Sequence, residues 1–200
     1  RISALCGIGL SRAHWRSNYI QHMNKGGMKS CFKNPDRVEF SPVVSVDGMC
    51  LFVLRKVWQK VRFDEKTFPN FHLYDLDFTT AVFRAGYINY ICNTVIVEHF
   101  SEGYYTQEWL AATIDFNNKW RDALPLYVPG FPCIKNLDKY VRSREFRFIK
   151  AMMKSRGKCS WELIDGLCRQ YYRKYPFYRS IVVRFHAYRY RKRWKREGRL

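Results

Sequence analysis

The sequence has no C-x-x-C pair, no uncharged run near the roughly 18 to 20 residues of a membrane-spanning helix, and no Asp-x-Asp outside Asp75-Leu76-Asp77. The first absence argues against zinc. Seven scattered cysteines and five histidines nowhere cluster at ligand spacing, so the cysteines are expected in a reduced compartment, mostly as small core residues. The longest uncharged stretch, near Ala85 to Val97, is too short to span a bilayer. Acidic residues are scarce at one end only. Residues 139–200 hold 20 Lys or Arg against four acids, a net of +16 within a total of +19, while the first part is nearly neutral with 16 bases and 13 acids.

With 47% hydrophobic residues, the 200-residue chain can bury one sizeable core, or a smaller core with an appended helical segment. Because it starts at Arg1 and runs directly into the apolar stretch Ile2 to Leu10, its natural start is expected upstream. Pro125, Pro129, Gly130 and Pro132 punctuate the chain just before the composition changes. The division expected is therefore a catalytic-type unit over 1–125, a linker over 126–138 and a basic helical tail over 139–200.

Three short helices are expected in the tail. Ser143 is read as capping one with Phe146, Ile149 and Met153, and Ser160 as capping another with Trp161, Ile164, Leu167 and Tyr171. A third follows Pro176 with Ile181, Phe185 and Tyr188. Basic residues interleaved with aromatics suit an anionic membrane surface, and equally nucleic-acid phosphates or a solvated face packed on the catalytic unit. No nucleic-acid motif accompanies them, so the membrane is favoured over nucleic acid as partner.

The first part alternates apolar strands with helical patterns, as an α/β domain does. Val43 to Val46 reads as a strand entering Asp47-Gly48, and Met49 to Leu54 as a second, buried strand; Gly48 would let the backbone approach a neighbour closely. After Phe63-Asp64-Glu65 comes His72-Leu73-Tyr74-Asp75-Leu76-Asp77. A helix then carries Phe78, Ala81, Val82 and Ala85 and closes at Gly86-Tyr87. Ile88 to Val97 reads as a buried strand delivering Glu98 and His99 to a Ser101-Glu102-Gly103 loop. Trp109, Thr113, Phe116 and Trp120, on one helix face, read as core.

This ordered series resembles the C-terminal half of family 2-like glycosyltransferases of the streptomycin-biosynthesis type. The residues that carry it are Val46-Asp47-Gly48, Phe63-Asp64-Glu65, His72 to Asp77, Gly86-Tyr87 and His99, with Cys6-Gly7-Ile8-Gly9 before them and Phe116-Asn117-Asn118-Lys119-Trp120 after. The likeness covers about Ser3 to Pro125. It implies an incomplete GT-A-like, Rossmann-like α/β domain with a basic α-helical C-terminal extension. It also implies a nucleotide-sugar donor, a glycan or lipid-linked acceptor, and a role in polysaccharide biosynthesis at the inner face of a membrane. Asp75 matches the family's catalytic carboxylate, a base that takes the acceptor hydroxyl's proton in inverting transfer. Asp47, Gly48, His72 and Asp77 are expected where the acceptor would bind, with orienting Asp75 as the other role open to Asp77. His99 matches a late histidine that helps hold a divalent metal, Mn or Mg, on the diphosphate; imidazole suits manganese better.

Each residue also has a structural reading. Asp75 or Asp77 could merely complement the helix dipole, Asp47-Gly48 could be a turn, and His72 and His99 could simply pack. The donor-binding half and its acidic metal motif have no counterpart before Ser3, so the chain by itself is expected to bind nucleotide sugar poorly. Ala81 stands where many relatives carry an Arg, and Arg84 comes later. The alternatives are a non-catalytic membrane- or nucleic-acid-binding module on a glycosyltransferase remnant, and an acceptor half serving a separate donor-binding subunit.

Overall fold

The computed structural model describes residues 20–24, 27–31, 37–48, 50–95, 97–99, 106–120, 122–124, 126–130, 136–154 and 159–200, with 20–24, 27–31, 97–99 and 137 as backbone alone. The segments at Cys6 to Gly9, Met49, Ser101 to Gly103, Pro125 and Pro132 lie outside the described residues.

Strands β1 (Ile20–Asn24), β2 (Gly27–Cys31) and β5 (Val97–His99) form one sheet, with β1 central, antiparallel to β2 and parallel to β5. Strands β3 (Phe40–Val43) and β4 (Asn89–Cys92) pair antiparallel from Phe40↔Cys92 to Val43↔Asn89. The apolar run expected as one strand over 88–97 is thus divided. Asn93 is the cause: its backbone N–H donates to Glu39 O at 2.7 Å, and its side chain donates to Val38 O at 2.9 Å and Ser41 Oγ at 2.7 Å, which ends the ladder in a turn. Nor do residues 51–54 form the buried strand expected of them. They are irregular, with Phe52 95% exposed, and lead into the short helix α1 (Arg55–Lys60).

Helix α2 (Tyr74–Arg84) buries Phe78 and Val82 and ends at Gly86, whose φ of 89° only glycine adopts readily. Helix α3 (Gln107–Lys119) starts at Thr106, whose hydroxyl accepts from Trp109 N–H at 3.2 Å. Its Thr113 and Phe116 are buried as expected, with Phe116 in one core beside Val43, Val44, Phe68, Leu73, Ile91 and Val128. Val128 places part of the expected linker inside that core.

The basic region folds as α4 (Leu137–Lys154), α5 (Trp161–Lys174) and α6 (Phe177–Arg196). Ser160 caps α5 by accepting from Leu163 N–H at 3.4 Å, but Ser143 lies inside α4, where Asn136 Oδ1 takes the capping position by accepting from Lys139 N–H at 3.0 Å. A second core joins Leu110 of α3 to Ile149, Met152, Ile164, Leu167, Val183 and Trp194. Each large buried side chain there stabilises the fold by about 1.5–3 kcal/mol, against about 1 kcal/mol for a cap, so packing orders the three helices.

In α6 the buried residues are Ser180, Val183 and Trp194, whereas Ile181, Phe185 and Tyr188 are exposed. The helix therefore presents to solvent the apolar residues whose spacing marks it as a helix in the sequence. Among the described residues no helix is long and apolar enough to cross a membrane.

Candidate active site

Past β3 the chain stays extended and is held along α2 by two polar side chains. Asn89 Nδ2 donates to Val44 O at 2.6 Å and to Thr79 O at 2.8 Å. Thr79 Oγ1 accepts from Val46 N–H at 3.2 Å and donates to Asp75 O at 2.8 Å. These bonds bring Asp47-Gly48 over the first turn of α2.

The entry to that turn is strained. Leu73, which precedes α2, has a φ of 64°, a left-handed conformation costing a branched side chain about 1–2 kcal/mol. Burial of the Leu73 side chain in the core holds it there. No side chain caps the helix, so the first-turn N–H groups are open to an anion.

Asp75 meets them with its own carboxylate. Gly48 N–H donates to Asp75 Oδ2 at 2.6 Å. A Cβ added at Gly48 would lie 2.8 Å from Asp75 Cβ and 3.0 Å from the Tyr74 hydroxyl, so only glycine fits without displacing the carboxylate. The close approach read from the sequence is thus to Asp75 itself. Burial raises the Asp75 carboxyl above the ordinary aspartate value and the charge of Asp47 adds to this, while the N–H groups of Gly48 and Leu76 pull it partly back. Burial, with the charges of Asp75 and Asp47, likewise raises the Tyr74 phenol and keeps it protonated.

Beside this carboxylate Tyr74 belongs to a chain of rings running from Trp58 through Phe63 and Tyr74 to Phe71. Neighbouring centroids lie 5.6 Å, 5.8 Å and 6.2 Å apart, and Phe71 is 80% exposed at the end of the row. His72, half-buried, sits edge-on to Phe71 at 5.8 Å. Asp47 is exposed beside Gly48.

Asp77 departs from the acceptor contact expected of it. Its side chain is 2% exposed, with Oδ1 accepting from Trp120 Nε1 at 2.7 Å and Oδ2 from Lys119 Nζ at 2.8 Å. Lys119 also reaches Asp64 Oδ2 at 2.8 Å, and Asp64 Oδ1 accepts from Thr67 N–H at 3.0 Å. Burial and the bonds at both oxygens leave Asp77 no open side toward a substrate hydroxyl. The bonds from Lys119 and Thr67 hold Asp64 well below the usual carboxylate range. Burial raises Asp77 despite the bonds from Lys119 and Trp120, and it also opposes the charge on Lys119, whose bonds to Asp64 and Asp77 prevail and raise it. The Phe63-Asp64-Glu65 and Lys119-Trp120 segments, far apart in sequence, thus meet to lock α2.

His99 ends β5, and its side chain lies outside the described residues. Among the described residues no group of three or more His, Cys, Asp or Glu could hold a metal ion. A metal carried on a diphosphate draws most of its ligands from phosphate and water.

Sequence reasoning missed Thr79 and Asn89. A signal for Thr79 was its place four residues after Asp75 in a helix, where a hydroxyl bonds back to the preceding turn; nothing local marked Asn89. The chain matches no protein-family model, no curated protein and no solved structure.

Proposed function

We propose that this chain is the acceptor-side half of an inverting glycosyltransferase that moves a sugar from a nucleotide-sugar donor to a glycan or lipid-linked acceptor. The carrying observation is the Asp75 carboxylate, set on Gly48 N–H at the start of α2, with the neighbouring Tyr74 ring leading to the exposed Phe71. The ordered likeness to family 2-like glycosyltransferases supports the same reading, with a GT-A-like domain as its fold. The chain works in the cytoplasm, peripheral to the inner face of the membrane.

In this mechanism an acceptor hydroxyl donates a hydrogen bond to Asp75. As that oxygen attacks the anomeric carbon, its proton passes to the carboxylate and the bond from the sugar to the nucleotide diphosphate breaks, with the electron pair leaving on the diphosphate. The proton is then released to water. Gly48 N–H and the first-turn N–H groups fix the carboxylate before reaction, so little orientation is lost in the transition state. The exposed Phe71 ring offers a surface for the apolar face of a sugar, and Asp47 and His72 offer polar contacts to its hydroxyls. A divalent metal, when bound, would neutralise charge on the diphosphate, with His99 as its ligand from this chain.

A protein containing this chain, incubated with α-linked nucleotide sugars and glycan or lipid-linked acceptors, is expected to form a β-linked product, read by the anomeric proton coupling. An α-linked product would refute a single-base inverting mechanism.

A further inference from the structure

At about 100° per residue, Val183, Ala187, Tyr190 and Trp194 fall on one side of α6 and point into the three-helix core. Phe177, Tyr178, Ile181, Val182, Phe185 and Tyr188 fall on the opposite side, exposed at 65%, 69%, 51%, 51%, 55% and 67%. This stripe stays half or more exposed on an already packed helix, its rings met in part by arginines of α6 itself, Arg184 over Phe177 at 5.1 Å, Arg179 over Tyr178 at 5.5 Å and Arg189 over Phe185 at 5.6 Å. From Arg189 onward the outward face changes character: Arg189, Arg191, Lys192, Arg193, Lys195 and Arg196 succeed one another with no acid before Glu197.

Beside the stripe an open groove of about 490 Å³ lies between α4 and α6. Tyr178 and Val182 line it together with Arg142 and Arg179. Among the described residues neither arginine forms an ion pair, and the buried Glu145 pairs through Oε1 with Lys174 Nζ at 2.8 Å. The Arg179 guanidinium lies over the Tyr178 ring at 5.5 Å, and two guanidinium groups without an acid partner at the edge of an apolar surface suit a phosphate whose attached chains continue along that surface.

We infer that α6 is a docking face for a bilayer containing anionic phospholipid, with the 177–188 stripe entering the headgroup boundary, Arg142 and Arg179 holding a headgroup phosphate, and the basic end of α6 lying along the charged surface. Charge and shape agree on this occupant. An exposed aromatic and aliphatic stripe with flanking Lys and Arg is the composition of an interfacial helix lying in the membrane plane. Nucleic acid would satisfy the arginines and lysines but leave Ile181 and Val182 without a role. This docking does not depend on the transfer reaction, and its test reads no activity.

The 200-residue chain is mixed with phosphatidylcholine vesicles with and without a minority of phosphatidylglycerol, and bound protein is measured by co-sedimentation. Wild type is expected to bind only the anionic vesicles. Ile181→Ser with Phe185→Ser, which leaves the net charge unchanged, is expected to weaken binding about tenfold. Arg142→Gln with Arg179→Gln is expected to weaken it about fivefold per residue removed. Both pairs change exposed or groove-lining side chains, and an unchanged helical circular-dichroism signal checks that the bundle persists. Phe185→Trp gives an independent reading, since brominated-tail lipids should quench its added fluorescence.

Undiminished anionic-vesicle binding by the Ile181/Phe185 pair, with no added quenching in Phe185→Trp, would overturn the proposal and leave only diffuse attraction. Tighter binding to a duplex oligonucleotide than to the vesicles, unaffected by that pair, would overturn it in favour of nucleic acid. A wild-type dimer that the pair dissociates, without vesicle binding, would make the stripe a contact between copies.

Discussion

Asp75→Asn is expected to lower transfer by about 10²- to 10⁴-fold, the range for loss of a general base, without a loss of thermal stability at neutral pH. Asparagine keeps the side-chain shape, and its carbonyl oxygen can still accept from Gly48 N–H. It has no carboxylate to take the proton. The stability half follows from burial, which raises the folded pKa of Asp75 above its unfolded value. Such a group favours the fold below the ordinary aspartate value and loses that contribution as pH rises through the raised value. At neutral pH, above the ordinary aspartate value, the raised Asp75 carboxyl is a cost to the fold that the neutral amide removes. Thermal melts of wild type and variant should therefore favour the variant, with the difference shrinking in acid. A variant that melts well below wild type at neutral pH would show that Asp75 serves the fold instead.

Asp77→Ala is expected to lower stability by about 2–4 kcal/mol, or about 4–16 °C in melting temperature for a chain of this length. The substitution leaves Trp120 Nε1 without its acceptor and removes one of the two carboxylates on Lys119. Lys119 retains Asp64 and some solvent, which puts the loss toward the lower part of the range for broken buried pairs. An unchanged melting temperature would refute the locking role. Two aspartates in the first turn of one helix thus separate by what their side chains hold, Asp75 a loop N–H and Asp77 a lysine and a tryptophan from the end of α3.

The division between them was invisible in the sequence because it is decided 42 residues later. Asp75 and Asp77 both sit in the first turns of α2, and local rules permit either to complement the helix dipole. Lys119 and Trp120 settle the matter from the end of α3. The helix itself was legible, because Phe78 and Val82 repeat at helical spacing and Gly86 ends it. So was the need for glycine at position 48, though not the identity of the group approaching it.

Elsewhere periodicity misled for identifiable reasons. Leu51 to Leu54 is apolar without gaining a partner strand among the described residues, and the 88–97 run is cut by Asn93, whose amide had a better use in tying down the segment before β3. Helix α6 carries two apolar faces at the same period. The bundle took the one with Val183 and Trp194, leaving the larger aromatic set outside.

The most direct test of the central claim is the pH dependence of the transfer rate, measured on a protein containing this chain and on its Asp75→Asn form. If Asp75 is the base, the wild-type rate rises with pH through a pKa above the ordinary aspartate value and then levels off, and this rising limb is absent from the variant. A limb of the same position and height in Asp75→Asn would contradict the assignment.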